Sequence, residues 1–182
     1  MTDARRTESA ASVPLSNTVP FFSVARCQLP GGIVRATADH HDAELLLRIY
    51  DLRREEKLRR AREWFIREFH VDSFEDLRSR FPAGSEGHTF FRMVVSYWEM
   101  VASIVNHGLI EETFFFENTS EAWVVWDKIK HLAPGARKLY ENPFAWKNLE
   151  TLGEKFEKWM AKRAPGSIGA LRKHLVEAPP KK

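Results

Sequence analysis

The chain predicts an all-α fold, an irregular helical bundle with one long N-terminal helix, a central mostly buried helix and a disordered N-terminal tail. Three observations carry this. Residues 39–69 run without a glycine or proline in helix-forming composition, and "FFRMVVSYWEMVASIVNHG" at 90–108 is apolar around most of a helical wheel. No stretch sustains the apolar–polar alternation of a half-buried strand.

Residues 1–38 read as a flexible tail, rich in Ser, Thr, Ala and Pro with a Pro30-Gly31-Gly32 turn signal. Within it, "VPFFSVARCQL" is apolar enough to dock on something. From Asp39, a suitable N-cap, a single helix is predicted to Phe69. At about 100° per residue, Leu47, Leu58, Ala61, Phe65 and Phe69 share one side. Leu45, Ile49 and Leu52 form a second stripe confined to the first half, a candidate contact for the tail or for a partner protein.

Ser73 with Asp76 three residues on predicts a short capped helix, and "FPAGSEG" a loop. The central helix follows, stopping at Gly108 as a left-handed C′ residue with Leu109 folding back on Ile104. Asn118 with Glu121 predicts the cap of a helix through Leu132, and Asn142-Pro143 the start of the last major helix. Pro165-Gly166 ends that helix, which bounds a domain at 39–164 and leaves a short helix and basic tail at 165–182.

On the central helix, the polar side chains collect in one strip: Arg92, Ser96, Glu99, Ser103 and Asn106, with the triad Arg92, Glu99, Asn106 spaced at sevens. Facing water, the strip is an ordinary solvated stripe. Covered by a neighbour, it forces Glu99 to find donors or a cation, because an uncompensated buried carboxylate is costly. A covered pocket there would be a ligand site, with Glu99 as base or anchor, Arg92 as anion clamp and Asn106 orienting, next to His107 at the helix end.

Other chemistry is thinly represented. Asp39-His40-His41-Asp42 invites a metal, but adjacent helical residues point about 100° apart. Glu-x-x-His is absent, against a di-iron bundle; Cys27 is the lone cysteine, and neither a Gly-x-Ser-x-Gly elbow nor a phosphate-binding glycine loop occurs. No metal site and no cofactor is predicted. The six tryptophans read as core fillers. The net charge of +3 resides at the two ends, while residues 39–154 carry 16 basic and 21 acidic side chains, which disfavours nucleic acid. The start of the chain lacks the unbroken apolar length of a membrane span, so membrane association is not expected and a cytoplasmic setting is.

"LRREEKLRRAREWFIREF", "YWEMVASIVNHGLIEETFFFE" and "NPFAWKNLE" together resemble an uncharacterised bacterial domain-of-unknown-function family of short helical proteins. The resemblance spans about residues 43–160, and Tyr97-Trp98-Glu99-Met100 with Asn106-His107-Gly108 is its most specific part. It implies a helical fold and a bacterial origin, and brings no established activity. Some members of that family carry a hydrophobic segment ahead of the domain, from which this chain departs. Two functions compete: a non-catalytic protein-interaction or accessory module, with a protein partner or a second copy of itself, and an enzyme or small-ligand binder on the polar strip.

Overall fold

The computed structural model describes residues 37–176. The expected disordered tail up to residue 36, with its apolar segment, and the basic end from residue 177 lie outside the described residues. The described chain is helical throughout, with no strand. In order it forms α1 (His40–Arg53), α2 (Glu56–Arg67), α3 (Phe74–Arg80), α4 (Glu86–Asn106), α5 (Glu112–Asn118), α6 (Glu121–Ile129), α7 (Ala133–Leu139), α8 (Lys147–Arg163) and α9 (Ser167–Leu171). A short 3₁₀ turn joins α6 to α7, and residues 172–176 extend α9 as a π-turn.

The α4 helix is the axle. Val94, Trp98, Val101 and Ala102 are buried to 1% exposure or less, and α2 and α8 pack along it while α6 packs on α8. One aromatic cluster joins α2 to α4 through Phe65, Phe69 and Phe91, with Phe65 and Phe69 stacked at 4.9 Å. A second joins α5, α6 and α8 through Phe116, Trp123, Phe156 and Trp159. Burying each such ring contributes about 1.5–3 kcal/mol.

Local signals set several ends as the sequence predicts. Asp39 and Asp42 form a reciprocal capping box at the start of α1, and the Ser73 hydroxyl accepts from Asp76 N. At the end of α4, Gly108 has φ +70°; Leu109 N donates to Ile104 O at 3.1 Å and Gly108 N to Val105 O at 2.9 Å, a Schellman stop.

The single long N-terminal helix is not what forms. It breaks at Arg54-Glu55, where Glu55 turns to φ −51°, ψ 136° and its carboxylate caps α2 through Lys57 N and Leu58 N. A side-chain cap can outcompete helix continuation without any glycine or proline. The break re-aims α1: Ile49 is buried at 6% exposure while Leu47, expected on the core side, is 64% exposed. Two further starts shift. Asn118 closes α5 rather than capping α6, and α8 begins at Lys147, four residues after Pro143, because 142–146 form a tight turn in which Trp146 takes φ +57°.

Candidate functional site

The polar strip of α4 is divided by α8. Trp146 holds the N-cap position of α8 without a side-chain cap of its own, so the first amides of that helix need an external acceptor. Glu99 supplies it. Its Oε1 accepts from Asn148 N at 3.0 Å and Asn148 Nδ2 at 2.9 Å, and its Oε2 accepts from Leu149 N at 2.9 Å. Two helical turns later Asn106 donates through Nδ2 to Asn148 O at 3.0 Å, while its buried Oδ1 has no partner. A carboxylate over a helix N-terminus also complements the macrodipole. Glu99 and Asn106 thus clamp one helix start onto another helix, and both Glu99 oxygens are occupied.

The rest of the strip does not converge on them. Arg92 and Ser96 are exposed on a shallow recess of about 190 Å³ shared with His88, Thr89 and Met93. The Ser96 hydroxyl donates to Met93 O at 3.4 Å. His107 is exposed, with Nδ1 2.8 Å from Ser103 O, and closes its own helix.

Three further polar centres escaped sequence reading. Glu121, legible only as a capping residue, is the hub of the second: it accepts two hydrogen bonds from the Arg62 guanidinium, one from Arg53 Nη1 at 3.3 Å and one from Trp98 Nε1 at 3.2 Å. It ties α1, α2 and α4 to the start of α6. Asp127, whose side chain is 2% exposed, receives Arg172 through Nε at 2.9 Å and Nη2 at 2.8 Å, and Lys130 at 2.6 Å. Burial alone would push its carboxyl up; those hydrogen bonds win and hold it below the usual carboxylate range. Asp42 in α1 is fully buried and accepts from Glu111 N at 2.7 Å, fixing α5.

Lys128 is the cationic counterpart. Its ammonium donates to Phe65 O and Ile66 O, both at 3.0 Å, capping the last turn of α2. Burial lowers its pKa to about 8. Most of these partners stand 45 or more residues apart, which leaves no local sequence signal.

The concave apolar surface lies on α1. Leu46, Leu47, Ile49, Tyr50 and Arg53 of α1 line a groove of about 270 Å³ together with Trp98, Asn118 and Thr119. Tyr50 is 46% exposed and carries Arg53 over its ring at 5.0 Å. Of the stripe Leu45, Ile49, Leu52, the first packs partly against the core, the second is buried with Tyr97 Oη donating to its carbonyl at 2.5 Å, and Leu52 is 57% exposed.

Helices stapled by interior carboxylates, with an open groove beside the first helix, define the class: an all-α bundle domain. The chain belongs to the family described as domain of unknown function DUF4760, whose model matches residues 38–159. No curated protein and no solved structure matches it. Among the described residues no helix is long and apolar enough to cross a membrane, and no three His, Cys, Asp or Glu side chains gather as a metal site.

Proposed function

We propose that this domain is a non-catalytic protein-interaction module whose groove along α1 takes a short apolar segment of a partner protein. A cytoplasmic setting in a bacterium belongs to the same reading. The observation that carries it is the neighbouring pair Leu47 and Tyr50, at 64% and 46% exposure, on the wall of that groove. Large apolar side chains gathered on one exposed helix face mark an interaction surface. The groove floor is preformed, because Trp98 is held by Glu121 and Ile49 by Tyr97, so binding orders little of the domain itself. A ligand site on the α4 strip has less support, since Glu99 and the Asn106 amide nitrogen are already engaged by α8.

Selection of displayed random peptides on the full chain tests this. Peptides with two or more large apolar residues are expected to enrich, and Leu47→Glu and Tyr50→Glu to abolish their binding. Enriched peptides indifferent to both substitutions, or no enrichment at all, overturn it.

A further inference from the structure

The groove is apolar but not electrically neutral. Its lining holds no carboxylate, and it includes Arg53. Arg53 and Arg62 share the single charge of Glu121, which leaves that corner with a positive charge in excess. Arg62 takes the better contact, with two hydrogen bonds, whereas Arg53 reaches Glu121 through Nη1 alone at 3.3 Å. Arg54 adds a second cation. Its guanidinium stands 5.6 Å from the centre of the Tyr50 ring, with that of Arg53 at 5.0 Å, and among the described residues no carboxylate pairs with it. Neighbouring acids do not offset these charges at the groove. Glu44 and Asp51 fall about 100–120° round α1 from Tyr50, and Glu117 is paired with Arg163.

We propose that the groove takes a partner segment in which a large apolar side chain is accompanied by Asp or Glu. The apolar group lies along Leu46, Leu47 and Trp98, and the carboxylate meets Arg53 and Arg54. This rests on the groove being a peptide site and names what that peptide must carry. A space of about 270 Å³ is small beside the roughly 300–1,000 Å³ of ligand pockets, so it holds one anchor and leaves the charge next to it to select among apolar peptides. Leu47 and Arg53 stand about 9 Å apart along α1, which an extended peptide spans in about three residues. Guanidiniums already resting on an aromatic ring are pre-oriented, so little side-chain freedom is lost when a carboxylate arrives. A chain-terminal carboxylate fits less well, because its capture uses free backbone amides. Those beside Asn118 are taken: Thr119 N donates to Phe115 O and Glu121 N to Thr119 Oγ1.

Selection of a displayed random-peptide library, run in parallel on the full native chain, Arg54→Glu and Arg54→Gln, tests this. Arg54 is exposed, so neither substitution touches the core. The native protein is expected to enrich apolar peptides with Asp or Glu about three residues from the anchor. Arg54→Glu should keep the apolar anchor and enrich Lys or Arg in place of the acid, and Arg54→Gln should keep the anchor with a weaker acidic preference. Exchanging the acidic residue of a native-selected peptide for its amide is expected to weaken binding about fivefold, the upper range for a partly exposed ion pair. Apolar peptides with no acidic position, or an acidic preference that both substitutions leave unmoved, overturn the inference and leave the peptide-site reading standing. Binding that is lost on amidating the peptide C-terminus assigns the carboxylate to the chain end and also overturns it. If no peptide enriches on the native chain, both readings fall.

Discussion

Glu99 illustrates how a charged residue on an apolar helix is accommodated without a cation. It accepts three hydrogen bonds from the first turn of α8, two of them from backbone amides that no other side chain caps. Glu99→Ala removes all three and is expected to cost about 2 kcal/mol, the upper end for a helix cap. In a domain of this size that is about 4–8 °C in Tm. Glu99→Gln retains one acceptor and is expected to lose less; thermal unfolding of the two variants checks the order. Lys128 predicts a pH effect of definite sign. Its pKa is lowered to about 8 on folding, from 10.5, so between those values the unfolded chain binds the extra proton and stability rises with pH. Urea titrations from pH 8 to pH 10 should show the native protein gaining on Lys128→Met across that window. A flat difference would mean that water reaches the ammonium.

At the scale of helices, Gly153 sets how closely α6 and α8 approach. A Cβ there would stand 2.4 Å from Trp126 Cδ1 and 2.9 Å from Cγ, on a ring packed against the core and only 8% exposed. Gly153→Ala would gain about 1 kcal/mol of helix propensity, yet the overpacking costs about 1–3 kcal/mol and the indole cannot swing clear. Net destabilisation is expected, and denaturant unfolding measures it. The elements themselves were largely legible, because the signals that fix them are local: the Asp39 box, the Ser73 cap and the Gly108 stop all act within six residues. What was not legible is long-range or competitive. The break at Glu55 is a contest between two helical options in a sequence that permits either, and it rotates Leu47 out of the core. The strip containing Glu99 was visible on the wheel, but its cover comes from Asn148 and Leu149, about 50 residues on. Glu121 carried no hint of Arg62, because nothing local marks which exposed-looking arginine will fold over it.

Across the whole molecule the carboxylates act as clips between elements distant in sequence: Asp42 to α5, Glu99 to α8, Glu121 to α1, α2 and α4, and Asp127 to the C-terminal turn. Such clips join elements distant in sequence, and the one at Asp127 makes its own contact sensitive to acid. Asp127 shows the sign. Its folded pKa lies below the usual carboxylate value, so its contribution is present above that value and is lost as pH falls through the lowered one. Arg172 is the other half of the pair; hydrogen bonds to Asp127 hold its guanidinium more firmly protonated, so it stays charged while the carboxylate is neutralised. Asp127→Asn should therefore be less stable than the native protein near pH 7, and should lose less between about pH 5 and about pH 2. Urea unfolding at both ends of that range is expected to show the two stabilities converging in acid. Parallel curves would mean that Arg172 and Lys130 contribute nothing through charge, and that the C-terminal turn is held by Ile168, Leu171 and Leu175 packing on the core alone.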